Sequence, residues 1–243
     1  MRIVTYNLHF ATRVGRALDV IRSEPDLAAD LMSLQEVDGP AVEQMAGALG
    51  MQSAWHPAAI HRRTGRHFAP AVLSRWPIVE NRLLQLPHPG LHGLVRVAVH
   101  ARIERGPGDV IDFVAVHFGT MREIRPGQQE DQAKAVLEAV ADRKGPVIVA
   151  GDLNRMGLGR LFEGAGFDWV TRNVGFTHLV WSFDHVFTRG LRSAGARSGS
   201  VRAALKASDH RAVWVELDSL EHPAQLNLHP ALPGSGQSFG ESA

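Results

Sequence analysis

Apolar runs rich in Val and Ile recur along the chain at Ile3–Tyr6, Leu31–Leu34, Ala71–Leu73, Leu94–Ile103, Val110–Val116, Val147–Ala150, Phe183–Phe187 and Ala212–Leu217. Their β-branched content, and the Gly, Pro, Asp or Arg that bounds most of them, predict strands. Helical periodicity predicts helices over Val14–Arg22, Pro40–Leu49, Gln129–Ala141 and around Gly159–Gly164, with Gly145-Pro146 as a stop after the third. Between Ala71 and Val116 several strands follow one another with no helix between them. That order predicts a mixed sheet system with helices packed outside, an α/β or α+β layered sandwich.

No repeat of solenoid period is visible and no linker divides residues 1–217, so one domain is expected there. From about Ser219 the chain turns to Pro, Gly, Ser, Gln and His, which predicts a flexible tail over 218–243. A formal net charge of +1 exerts no global pull toward nucleic acid or anionic membrane, although 13 histidines make the charge sensitive to mildly acidic pH. The absence of cysteine excludes disulfides, thiolate catalysis and cysteine-ligated metal, leaving oxygen or imidazole to hold any ion. No run approaches the ~20 apolar residues of a membrane span. The opening Met-Arg-Ile-Val-Thr-Tyr-Asn also lacks the plan of a signal peptide, so a cytoplasmic location is expected.

Chemistry-bearing residues gather where apolar runs end. The run Pro146-Val147-Ile148-Val149-Ala150-Gly151-Asp152-Leu153-Asn154 delivers a carboxylate and an amide at the end of a buried strand, although Gly-Asp turns also end strands for conformational reasons alone. Polar side chains also close Tyr6-Asn7-Leu8-His9, Leu34-Gln35-Glu36-Val37-Asp38, Val116-His117-Phe118 and Ala207-Ser208-Asp209-His210. In Ser182-Phe183-Asp184-His185-Val186-Phe187 the carboxylate falls inside the strand. Each fragment alone is weak: Glu36 could be a solvated carboxylate, His117 a satisfied core histidine, Asn7 the close of a turn, and Asp184 the partner of any nearby arginine.

Taken in order, Thr-Tyr-Asn, Leu-Gln-Glu-Val, Leu-Ser-Arg-Trp-Pro-Ile, Val-His-Phe, Gly-Asp-Leu-Asn, Phe-Asp-His-Val-Phe and Ser-Asp-His strongly resemble the endonuclease/exonuclease/phosphatase superfamily, with its deoxyribonuclease-I-like fold. The resemblance runs from Arg2 to Leu217. It implies a four-layer sandwich, two mixed β-sheets face to face and flanked by helices, and a metal-dependent cleavage of phosphoester bonds. It also implies roles: Glu36 as metal ligand, assisted by Asn7 and Asp209; Asp152 orienting or deprotonating the attacking water; Asn154 holding phosphate or water. His210, oriented by Asp184, would donate to a phosphate oxygen or the leaving group, and His117 would add a second imidazole. A phosphodiester is anionic and repels its nucleophile, so its oxygens must be neutralised and a water oriented. Mg²⁺, held by one or two carboxylates plus substrate, suits that task, and Mn²⁺ accepts the same ligands.

Three departures from the family pattern stand out. Phe68-Ala69-Pro70 precedes Ala71-Val72-Leu73-Ser74-Arg75 where relatives often carry Gly-Asn or an acidic residue, so support for His117 must be lost or come from another group. Arg125-Pro126-Gly127-Gln128-Gln129 alters the opening of the helix after the histidine strand, and residues 8–30 lack the Gly-rich pattern of many bacterial relatives. The densest basic run, His61-Arg62-Arg63-Thr64-Gly65-Arg66-His67, is either a solvated loop or a grip on phosphate, polyanion or membrane; Arg122 and Arg125 are a second candidate grip. Trp181, just before Asp184, is the tryptophan expected nearest substrate.

The leading expectation is a monomeric magnesium-dependent phosphodiesterase or phosphatase acting on a small or lipid-linked phosphoester. A DNA or RNA nuclease is the alternative, disfavoured by near-neutral charge and the lack of a basic stripe interleaved with aromatics. A non-catalytic binding module would have shed some of the polar set, all of which is present.

Overall fold

In the computed structural model residues 1–60 and 65–217 are described. The expected tail and the His61–Thr64 part of the basic run lie outside the described residues. In chain order the first half carries β1 (Arg2–Asn7), α1 (Val14–Ser23), β2 (Leu31–Val37), α2 (Gly39–Leu49), β3 (Gln52–Trp55), β4 (Ala59–Ile60), β5 (His67–Ser74) and β6 (Ile78–Gln85). The second half carries β7 (Val97–Gly106), β8 (Asp109–His117), α3 (Pro126–Ala139), β9 (Val147–Asp152), α4 (Gly159–Gly164), β10 (Asp168–Trp169), β11 (Asp184–Arg189), β12 (Arg197–Val201) and β13 (Ala212–Glu216).

These strands form two mixed sheets. One runs in the order β12-β13-β1-β2-β5-β3, with β4 beside β5; the other runs β10-β11-β9-β8-β7-β6. Each holds one parallel pair, β1 with β2 and β8 with β9. Because side chains alternate across a strand, each sheet offers two apolar faces, and three cores result. Ile3, Leu31, Val72, Phe113, Ile148 and Val186 fill the space between the sheets. Val4, Tyr6, Met32 and Leu34 pack outward against α1 and α2. Val114, Val116, Val147 and Val149 pack outward against α3 and α4. Helix, sheet, sheet, helix is the four-layer order that the motifs imply.

The expected strands and helices all form, with small shifts of boundary. The strand expected from Leu94 begins at Val97, and Asp184 opens β11 instead of lying inside it. The strands that periodicity misses are β3, β4, β6, β10 and β12, and four of these are the sheet edges. An edge strand buries little: six of the eight residues of β6 are exposed, so no apolar run marks it.

This topology decides where chemistry can be mounted. Parallel neighbours end on the same side of a sheet, so β1 and β2, and likewise β8 and β9, bring their C-terminal ends together; Asn7 lies opposite Gln35, and His117 opposite Asp152. Antiparallel neighbours supply their beginnings to the same place: Asp184, at the start of β11, pairs with Asp152, and His210 precedes β13. The Ser33 hydroxyl donates across the sheets to the Ala150 carbonyl at 2.8 Å, fixing β2 against β9 just below this edge.

Candidate active site

Each side chain here is aimed by a local irregularity at a strand end. The pairing of β2 with β5 slips between Leu34 and Val37, a bulge in which Glu36 adopts φ 57. A bulge turns one residue out of the pleat, and here it directs the Glu36 carboxylate into the cleft. After Asn7 the chain winds left-handed through His9, Phe10 and Ala11, with φ of 46, 58 and 51, and the Phe10 amide donates to Glu36 Oε2 at 3.1 Å. Asn154 is left-handed as well, at φ 51, and its backbone amide donates to Asp152 Oδ1 at 2.8 Å. Conformations this costly persist where surrounding contacts enforce them, and such outliers cluster at functional sites.

Asp152 sits at the centre and is 1 % exposed. Asn7 Nδ2 donates to its Oδ2 at 3.2 Å. The Nε2 atoms of His117 and His210 stand 3.8 and 3.7 Å from that same oxygen. Burial first, and then the charge of Asp184, push the Asp152 carboxyl up to about 7. His210 Nδ1 donates to Asp184 Oδ2 at 2.9 Å, and the backbone that carries Asp184 is held by the Thr177 hydroxyl, which accepts the amides of Phe183 and Asp184. Burial alone would lower the His210 pKa, but Asp184 and Asp152 outweigh it and push the imidazole up to about 10, so His210 is cationic at neutral pH.

His117 has the opposite electrostatics. Arg96 Nη1 lies 3.0 Å from its Nδ1 and 3.2 Å from its Nε2, and the same guanidinium forks onto Glu123 at 2.7 and 2.9 Å. Burial and the Arg96 charge hold the His117 pKa well below the ordinary histidine value. A guanidinium can only donate, so the ring nitrogen facing it presents a lone pair. We assign the N–H to Nε2, which has Glu36 Oε1 and Asp152 Oδ2 each at 3.8 Å, and the lone pair to Nδ1, the nitrogen nearer Arg96. The side chain that stands against His117 is therefore a cation, and Phe68, Ala69 and Pro70 line a small cavity against Arg96 and His117.

The structure thus brings Asn7, Glu36, His117, Asp152, Asn154, Asp184, Asp209 and His210 to one end of the two-sheet sandwich, with differences of detail. The Asn154 side chain, expected to hold phosphate or water, donates from Nδ2 to the Phe118 carbonyl at 2.9 Å, leaving one amide proton for another partner. Asp209, expected beside Glu36 and Asn7, stands at the mouth with its Oδ1 3.0 Å from His9 Nδ1 and its Oδ2 3.9 Å from His178 Nδ1. Arg66 of the basic run is committed to Asp38 at 2.6 Å and to the Phe10 carbonyl at 3.1 Å. Arg122 and Arg125 are exposed on the loop after β8, and the altered helix opening has a structural role: Gln129 donates to the Gly119 carbonyl at 2.7 Å, and Gln132 accepts the Gly119 amide at 2.9 Å. Arg96, Glu123, Thr177 and His178 were not expected here, and His9, which closes a polar strand end in the sequence, carried no assigned role. Only Arg96 left a clear signal, as the one charge in Leu94-Val95-Arg96-Val97-Ala98-Val99.

Four carboxylates, Glu36, Asp152, Asp184 and Asp209, face two cations, His210 and Arg96. Burial raises Glu36 as well as Asp152, the response of acids short of counter-charge. Ligand atoms of Asp152, Asp184 and His210, and of His178, Asp209 and His210, fall within 4.8 Å of one another. His210, as a cation, ligates no metal, but the four carboxylates, oxygen donors carrying negative charge, fit a hard divalent cation.

A model of the Endonuclease/Exonuclease/phosphatase family matches residues 4–210. Solved structures similar to this chain include a Leptotrichia buccalis protein described by that family name, with TM-score 0.71, 15% identity, and 90% of this chain and 100% of that one covered. A mannosyl-6-phosphatase of Bacteroides thetaiotaomicron aligns with TM-score 0.67 and 17% identity over 90% of this chain and 100% of its own. TDP2 of D. rerio, complexed with a single-strand DNA product, aligns with TM-score 0.68 and 16% identity, covering 90% of this chain and 99% of that one. No curated protein matches by sequence. At such identities the likeness is one of fold.

Proposed function

Because the chain belongs to the endonuclease/exonuclease/phosphatase family, whose members hydrolyse phosphoester bonds, we propose that it is a divalent-metal-dependent phosphoesterase acting on a small or lipid-linked phosphoester by in-line attack of water. The observation that carries this reading is the pairing at Asp152: a carboxylate raised to about 7 faces an imidazole raised to about 10 across 3.7 Å. A base poised near neutrality and a permanently charged donor are what hydrolysis of an anionic ester requires.

In this mechanism Asp152 Oδ2 orients the attacking water and takes its proton, while the Asn154 amide and Asn7 Nδ2 fix the carboxylate. His210 Nε2–H, held by Asp184, donates to a non-bridging oxygen or to the departing alkoxide. His117 presents a neutral Nε2–H to a phosphate oxygen. Glu36, with Asn7 and Asp209, would hold Mg²⁺ or Mn²⁺, which when bound supplies charge neutralisation at the phosphate.

Hydrolysis of bis(4-nitrophenyl) phosphate with Mg²⁺, and its loss in EDTA, is the direct test. Folded protein that gives no turnover with Mg²⁺ or Mn²⁺, on this ester or the corresponding monoester, would sink the reading. Asp152→Ala should lower kcat by about 10² or more without unfolding the chain, since a positioned general base contributes about 10²–10⁴. Unchanged turnover would remove Asp152 from the reaction.

A further inference from the structure

Beside the site stands a hairpin whose sequence neither folding nor burial explains. The Thr177 amide donates to the Trp181 carbonyl at 2.8 Å, and the Trp181 amide to the His178 carbonyl at 2.8 Å, closing a tight turn with Leu179 and Val180 at its tip. Leu179 is 76 % exposed and Val180 61 %, with Phe176 and Trp181 half in solvent beside them. Leu179 also adopts φ 50, a left-handed conformation that glycine or asparagine accepts at least cost and a bulky residue resists. Leucine at this position gains nothing from local conformation and nothing from the core. A partner outside the molecule must reward it.

The surroundings say what kind of partner. The hairpin abuts the segment carrying His210: His178 bridges to His210, their rings lie 4.4 Å apart, and the Arg211 amide donates to the Thr177 carbonyl. Just before that segment the turn Arg202–Lys206 exposes Leu205 together with Arg202 and Lys206, and Arg13 of the first loop reaches the Lys206 carbonyl at 3.5 Å. No acidic residue occurs between Trp169 and Phe183, or between His185 and Ser208. An apolar tip beside a flank that exposes Arg202 and Lys206, with the nearby Asp209 engaged by His9 at 3.0 Å, matches an anionic phospholipid surface: the aliphatic side chains enter the headgroup boundary and the cations meet lipid phosphates. Nucleic acid fits less well. The exposed tip, Leu179 and Val180, is aliphatic, and the half-exposed Phe176 and Trp181 beside it do not make the series of aromatic platforms that stacks successive bases. Self-association through this face would set like charges against each other.

We infer that the Phe176–Trp181 hairpin and its basic flank dock the protein on an anionic phospholipid surface, so that a lipid-borne phosphoester reaches His210 from the interface. The consequence for substrate rests on the phosphoesterase reading above; the docking does not.

Co-flotation with vesicles of phosphatidylcholine containing 30 mol% phosphatidylglycerol separates the two. Wild-type protein should float with these vesicles, and less so with pure phosphatidylcholine or at high salt. The double variant Leu179→Asn/Val180→Ser should partition at least tenfold more weakly while hydrolysing bis(4-nitrophenyl) phosphate at the parental rate. Asparagine suits the left-handed tip, so this variant should keep its melting temperature; Arg202→Glu/Lys206→Glu is the second variant, expected to lose the salt-sensitive part. Brominated acyl chains should quench tryptophan fluorescence in the wild type and not in Trp181→Phe. Failure of the wild type to float, or equal flotation of the double variant, overturns the docking. So does a hairpin-dependent binding of a single-stranded oligonucleotide, or a hairpin-dependent dimer, in place of vesicle binding. Flotation without hydrolysis of either the aryl phosphodiester or the aryl monoester would leave the docking standing and remove the enzymatic reading.

Discussion

Replacing Gly151 by alanine tests whether the catalytic strand end is built as described. Gly151 adopts φ +153, and a Cβ added there would fall 1.9 Å from the Val116 carbonyl oxygen and 2.8 Å from its carbon. Both are backbone atoms of β8, paired in register with Gly151, so no side-chain rotation relieves the overlap. The strands must part by more than an ångström at the position before Asp152. Backbone strain contributes about 1–3 kcal/mol, and a buried carbonyl deprived of its partner about 1–3 kcal/mol more. The loss of about 2–6 kcal/mol compares with a total stability of about 5–15 kcal/mol. Gly166→Ala isolates the conformational part, because φ there is +81 but nothing lies within 4 Å of an added Cβ. Urea unfolding should therefore show a larger drop in midpoint for Gly151→Ala than for Gly166→Ala. Turnover of an aryl phosphodiester by the folded fraction should fall about 10²-fold, the cost of an ångström's misplacement of reacting groups. A Gly151→Ala protein with parental midpoint and turnover would refute the claim that β8 closes on β9 at this point.

Glu36→Gln should raise the Mg²⁺ concentration for half-maximal turnover at least tenfold while leaving the melting temperature unchanged or higher, since burial already disfavours the charged form; an unaltered metal titration removes Glu36 from the ligand set. Turnover should rise with pH as Asp152 loses its proton, from about 7 in the metal-free protein and lower with metal, and fall near 10 as His210 loses its own. Both folded values lie above the ordinary ones, 3.8 for Asp152 and 6.5 for His210, so the protonated forms favour folding and that contribution is lost as pH climbs through about 7 and about 10. The metal-free protein should accordingly melt lower at pH 9.5 than at pH 6, and a flat profile counts against both assignments. Arg96→Met should cost about 3 kcal/mol by leaving Glu123 unpaired and lower kcat about tenfold. Adding Glu123→Gln should recover stability in urea without recovering kcat, and recovery of both would reduce Arg96 to a structural role.

The sequence exposed those parts of the fold whose residues are buried on both faces. Val147–Ala150 and Val110–Val116 are legible because a central strand is almost wholly apolar, the buried Asp112 being paired with His100; β6 and β12 are not, because a strand paired on one side and open on the other tolerates Glu80, Asn81 and Arg82 or Arg197 and Ser198. The candidate site was legible as a set of residues because each sits within four positions of a readable strand end. Its geometry was not. Glu36 is aimed by a bulge whose register slip depends on the partner strand β5, and the hold of Arg96 on His117 joins residues 21 apart through a pairing that periodicity does not encode. The hairpin tip was hidden for a different reason: Leu179-Val180-Trp181 has the composition of a core segment, and only its exposure separates it from one.

The two imidazoles show how the site separates tasks that a single residue type could confuse. His210 has a carboxylate behind it and His117 a guanidinium, at 2.9 and 3.0 Å. Protonation is thereby favoured on one ring and opposed on the other, although both face the same oxygen of Asp152 at nearly equal distances. Were both rings cationic, they would draw Asp152 into two ion pairs and hold its pKa too low for it to accept a proton from water. Were both neutral, no charged donor would meet the alkoxide as it departs. With Arg96 fixing His117 as a neutral N–H donor, only His210 carries a transferable proton at neutral pH, and Asp152 keeps a pKa near 7 because a single cation, not two, opposes its burial. In the proposed mechanism the buried Arg96 cation would thus preserve the division between acid and base by holding His117 out of the titration.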